Sequence, residues 1–109
     1  MKIKISSEAH EFLKEKEKVT GLWILIDQID EECTRIYNPS IKLLKNNNPP
    51  PSSEIERKIE SRDYSVFISK RFSEIYGEAD EVQIDTGGFF EKILLISNID
   101  AKSKNICKV

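Results

Sequence analysis

Histidine and cysteine, the side chains that most often hold metals or attack substrates, are nearly missing from this chain. The one histidine, His10, has no second histidine for a metal pair and no adjacent Ser or Cys. It reads as a surface or boundary residue rather than a catalytic one. The two cysteines, Cys33 and Cys107, are fewer than the roughly four or more that a small disulfide scaffold needs. One chain alone also cannot close a four-sulfur metal site with them. Charge of one sign is missing too. Seventeen basic residues are interleaved with 19 acidic ones, for a net charge of −2. No field is available to gather polyanions, so nucleic-acid binding is not expected. No apolar run approaches the ~20 residues of a membrane-spanning helix, so no membrane partner is expected. Residues 1–6 alternate charge with isoleucine and cannot form the apolar centre of a signal peptide. The chain is therefore expected to be cytoplasmic. In that reducing compartment a structural bond between the two cysteines is not expected.

What is present suits one folded domain. The length of 109 residues fits a single unit, and a hydrophobic fraction of 39% can bury one modest core. Residues 2–5 alternate and predict an opening strand with Ile3 and Ile5 on one face. Ser6 or Ser7 is a candidate N-cap for a helix carrying Ala9, Phe12 and Leu13, and Gly21 is placed where the chain would leave that helix. Residues 22–26 form a short apolar run that predicts a strand buried on both faces. Residues 28–35 are polar, and Asp27, Asp30, Glu31 and Glu32 give an acidic loop at 27–32 without the spacing of a calcium loop. Ile36-Tyr37 and residues 41–44 predict weaker strand pieces broken by Asn38-Pro39.

Residues 46–53, with three Asn and three Pro, predict a Pro-rich loop. Residues 54–62 are ambiguous between helix and strand. Residues 65–68 predict a strand, and Ser69 a cap for a short helix through Tyr76 that ends at Gly77. Residues 81–85 alternate, Gly87-Gly88 predicts a turn or bulge, and residues 89–96 predict an apolar final strand. The sum is an α+β domain over residues 1–99. It has a mixed or antiparallel sheet, one main N-terminal helix and a second short helix. A polar, mobile tail is expected at 100–109.

Three places invite a chemical reading. Asp85-Thr86-Gly87 spells the signature of aspartic proteases, which a chain this short could complete only as a dimer. A strand running into a Gly-Gly turn explains the same letters. Cys33 follows several carboxylates, which disfavour its thiolate. Cys107 lies among Lys102, Lys104 and Lys108, which favour it. Two chains together could supply four sulfurs to a metal or cluster at their interface.

Several phrases give a family resemblance. Lys2-Ile3-Lys4-Ile5-Ser6 with Ala9 and Leu13 is followed by residues 21–26 and then Cys33. Further on stand Tyr37-Asn38-Pro39, Val66-Phe67-Ile68-Ser69-Lys70, and Gly88-Phe89-Phe90 leading into Ile93-Leu94-Leu95. In this order the chain resembles the HesB-like family of A-type iron–sulfur carriers, and more closely a divergent branch with a doubled cysteine or selenocysteine. The resemblance implies a small HesB-like fold and an iron–sulfur cluster or iron as cofactor, with Cys33 and Cys107 as the metal-ligating residues. The chain departs from the pattern in two places. The carriers' C-terminal Cys-x-Cys is absent, and Glu32 stands where the doubled cysteine would begin.

Two readings of function follow. One is a degenerate, non-enzymatic relative of iron–sulfur assembly proteins that holds metal between two chains. The alternative is a metal-free interaction module that binds a protein partner or itself, with both cysteines incidental. The dimeric aspartic protease through Asp85 stands as a remote third.

Overall fold

Ser6 caps the first helix as its position suggests: its hydroxyl accepts from the Ala9 N–H at 3.0 Å. The computed structural model describes residues 1–107. Strand β1 (Lys2–Ile5) leads into helix α1 (Ser7–Lys14). Two long strands, β2 (Val19–Glu31) and β3 (Thr34–Lys45), form a hairpin. A short 3₁₀ turn (Ser52–Glu54) precedes β4 (Ile55–Ser61) and β5 (Tyr64–Ser69). Helix α2 (Lys70–Tyr76) follows, then β6 (Glu81–Gly87), β7 (Ile93–Ile96) and β8 (Lys102–Asn105).

The strands form two sheets, and the mixture of pairings makes this an α+β fold. One sheet has the order β1-β6-β7, with β1 parallel to β6 and β7 antiparallel to it. The other has the order β4-β5-β2-β3-β8, with β2 and β5 parallel and its other pairs antiparallel.

The period-two pattern fixes which face each strand buries. Leu22 and Ile24 of β2 lie in register beside Val66 and Ile68 of β5, and all four are buried. Val82 and Ile84 of β6 join them, with Ala9 and Leu13 from α1 and Phe72 and Tyr76 from α2. Ser69 holds the start of α2 by accepting from the Phe72 N–H at 3.0 Å, which seats the wholly buried Phe72 ring.

Residues 22–26 are not buried on both faces, as their apolar run suggested. Trp23 and Leu25 point to the opposite side and are half-buried. Lys42 lies over the Trp23 ring at 5.9 Å and Lys58 over Phe67 at 5.8 Å, so lysine stems cover that outer face in place of a second layer.

Gly21 does not end the helix. Helix α1 stops at Lys14, Lys18 takes the turn with φ 65°, and Gly21 sits inside β2. A Cβ there would lie 2.8 Å from the Ser65 carbonyl oxygen of the paired strand. The glycine serves close backbone approach rather than a turn.

The break expected at Asn38-Pro39 does not occur either. β3 is continuous and Pro39 pairs opposite Ile26. β8 covers β3 only over Thr34–Tyr37. Beyond that the strand is an edge, where a residue without an N–H is tolerated. The ambiguous stretch at 54–62 is strand β4, paired with β5.

Within the segment expected as a polar tail, four residues are strand. Lys102–Asn105 forms β8, and Lys102 Nζ donates to the Ile75 carbonyl at 3.0 Å and pairs with Glu78 at 3.1 Å. Residues 108–109, including Lys108, lie outside the described residues. No helix among the described residues is long and apolar enough to cross a membrane.

Candidate functional site

The acidic residues at 27–32 are not a loop. They continue β2 to Glu31, and the hairpin turns through Glu32, at φ 49°, and Cys33. Alternation along the strand divides these carboxylates between two faces. Asp30 is taken by Arg35 across the hairpin, with Nε at 2.9 Å and Nη2 at 3.1 Å. The Arg35 guanidinium holds the Asp30 carboxyl below its ordinary range.

Cys33 therefore stands at the exposed tip of a long hairpin. β8 runs antiparallel to β3 with Asn105 opposite Thr34, which brings the chain end to the same tip. Ile106 N–H donates to the Cys33 carbonyl at 2.8 Å, and Cys107 N–H to Asn105 Oδ1 at 2.9 Å. The two cysteines, 74 residues apart in sequence, have Cα atoms 4.9 Å apart and are joined as a disulfide. This corrects the expectation that they would not be bonded. The physical reason is the hairpin's length: a polar stretch that reads as loop is a ladder that carries Cys33 outward to meet the returning strand. Both residues expected as metal ligands are thus brought together, but as partners of each other. Among the described residues no group of three or more His, Cys, Asp or Glu is arranged to hold a metal ion.

Asp85 lies elsewhere, on β6. Its Oδ1 accepts from the Ser6 hydroxyl at 2.8 Å and from the Thr86 N–H at 2.8 Å. Those two bonds hold its carboxyl below the usual aspartate range, against a smaller opposing effect of desolvation. His10 is half-buried on α1, its ring edge-on to Tyr64 at 6.0 Å between centroids.

A second feature escaped the sequence reading. β7 begins only at Ile93, so Phe89 and Phe90 are not in a strand. They stand at the tip of the β6–β7 loop, 94% and 96% exposed, with rings edge-to-face at 5.0 Å. Gly88, at φ +117°, makes the turn, and a Cβ there would collide with the Glu91 carbonyl oxygen. The available signal was the Gly-Gly pair just before two phenylalanines, with Glu91 and Lys92 just after. The loop borders an open groove of about 620 Å³ whose walls include Phe12, Ile41, Leu43, Ile93, Leu95 and Ile99.

Compared with protein-family models, curated proteins and solved structures, the chain finds no match in any of the three.

Proposed function

We propose that this chain is a non-enzymatic, HesB-like domain whose chemistry resides in its one cysteine pair. The observation that carries the reading is the convergence of Cys33 and Cys107 at an exposed hairpin tip. In the disulfide neither sulfur is a thiolate, so the closed pair does not fit a metal. Reduction by a cellular thiol, with two electrons and two protons, opens it to two thiols within reach of one ion. One chain then offers two sulfurs and two chains offer four, the set that zinc or an iron–sulfur cluster takes. A cluster held there would supply electron storage or a transferable iron–sulfur unit.

The test is anaerobic reconstitution of the reduced protein with iron and sulfide. A visible chromophore is expected, absent from Cys33→Ser and from Cys107→Ser. A colourless product, or colour that survives either substitution, overturns the reading.

A second reading, a metal-free interaction module, is favoured by the exposed Phe89-Phe90 pair beside an apolar groove. It predicts a pull-down partner that is lost on replacing the two phenylalanines and retained when either cysteine is replaced.

A further inference from the structure

The Phe89-Phe90 knob and the groove beside it are contiguous on one surface. Glu91, Lys92 and Ile93, the residues immediately after the knob, form part of the groove wall. The knob does not fill its own groove, because the Gly87-Gly88 turn holds both rings out in solvent. A surface with an apolar projection and an adjoining apolar hollow can pair with its own copy across a two-fold axis, the arrangement of isologous dimers.

Three observations favour a second copy as the occupant. The charged residues lining the groove have both signs, Glu91 together with Lys92 and Lys16, so two such patches need not repel. Strand β7 (Ile93–Ile96) is an edge of its sheet and has neither charge nor proline to guard that edge. The area comes near what a stable interface needs. Each buried aromatic ring removes about 150–250 Å² from water. Four rings and the walls they cover approach the roughly 1,200–2,000 Å² of a stable interface.

We propose that Phe89 and Phe90 of one copy insert into the groove lined by Phe12, Ile41, Leu43 and Ile93 of a second copy, reciprocally, to form a homodimer. The proposal rests on the interaction-module reading and names its partner. It is independent of the cysteines.

Sedimentation equilibrium over the micromolar range tests it. The intact chain should dimerise, and Phe89→Ser combined with Phe90→Ser should weaken association on the order of a hundredfold, as loss of central aromatic anchors does. Both rings are almost wholly exposed, so the thermal melting of the monomer should not change. Glu91→Lys alone should weaken the dimer, and adding Lys92→Glu should restore it. Cys33→Ser should dimerise like the parent. A parent chain that stays monomeric, or a dimer indifferent to the phenylalanines, overturns the proposal. So does a monomer that binds phosphatidylcholine vesicles through the same pair. None of these outcomes decides the module reading, which stands or falls on the pull-down.

Discussion

The Ser6 hydroxyl donates to Asp85 Oδ1 at 2.8 Å while accepting from the Ala9 N–H at 3.0 Å, tying the start of α1 to β6 across 79 residues of sequence. One side chain thus caps a helix and fixes the sheet strand beside it. Replacing Ser6 by Ala should destabilise the fold by about 1 kcal/mol, within the roughly 0.5–2 kcal/mol range of lost N-caps. Urea denaturation measures it, and a change within error would show that water replaces the cap without loss.

The same contact sets a pH dependence. Asp85 is held below the ordinary aspartate range first by Ser6 and then by the Thr86 N–H. Its folded value is the lower one, so its contribution is complete above the unfolded value of about 3.9. That contribution is lost as pH falls through the folded value. Asp85→Asn should flatten the acid limb of the stability curve. An unchanged limb would assign acid sensitivity to other lowered carboxyls, such as Glu81, whose value Gln83 and Lys4 depress.

The Cys33–Cys107 bond closes a loop spanning most of the chain. On the chain-entropy argument, opening it should cost about 4 kcal/mol, with measured losses of native disulfides at about 2–5 kcal/mol. β8 has only β3 as a ladder partner, and all four of its residues are exposed. Reduction should therefore speed amide exchange at Thr34–Tyr37 and Lys102–Asn105 and leave Val66 and Ile68 protected. Equal protection in both redox states would mean that the strand pairing, not the bond, holds the chain end.

Gly21 faces the Ser65 carbonyl oxygen so closely that a Cβ would sit 2.8 Å away. The obstacle is backbone of a paired strand, which cannot swing aside. Gly21→Ala should cost about 1–3 kcal/mol, the range for overpacking. A chemical-denaturation midpoint equal to the parent's would show that the β2–β5 ladder yields.

Tyr76 donates its phenol to the Asp100 carbonyl at 2.7 Å, below the Lys102 ammonium at 4.7 Å from the ring centroid. This contact directs the chain from β7 toward β8. Tyr76→Phe should lose about 1 kcal/mol, the net worth of one such hydrogen bond. Faster exchange in β8 should accompany it, and a stability loss without that local change would place the effect in the core instead.

The local signals were legible where one residue suffices to carry them. Ser6 and Ser69 announce helix starts because a hydroxyl one turn from a free N–H needs no distant partner. The alternation in residues 2–5 and 81–85 announces strands β1 and β6 for the same reason. The hairpin was illegible beyond residue 26 because its outer half is polar. Strands at an exposed end gain much of their order from ladder hydrogen bonds and the Asp30–Arg35 pair, with Ile29 opposite Ile36 and the buried Tyr37 as the apolar residues there. Gly21 was misread because a glycine after a helix and a glycine under a neighbouring carbonyl look alike in one dimension. Phe89 and Phe90 were misread because an apolar run ordinarily signals burial, and only the Gly88 turn reveals that this one points outward.

Composition and periodicity alone determined that this chain folds as an α+β unit with serine-capped helices and a core of alternating aliphatic residues. Tertiary structure alone decided that Cys33 meets Cys107, that Asp85 binds a helix cap, and that two phenylalanines stand in water. The division has a physical cause. Caps and alternation are set within a few residues of chain, whereas each of these three placements depends on strand register or a turn direction established by elements distant in sequence.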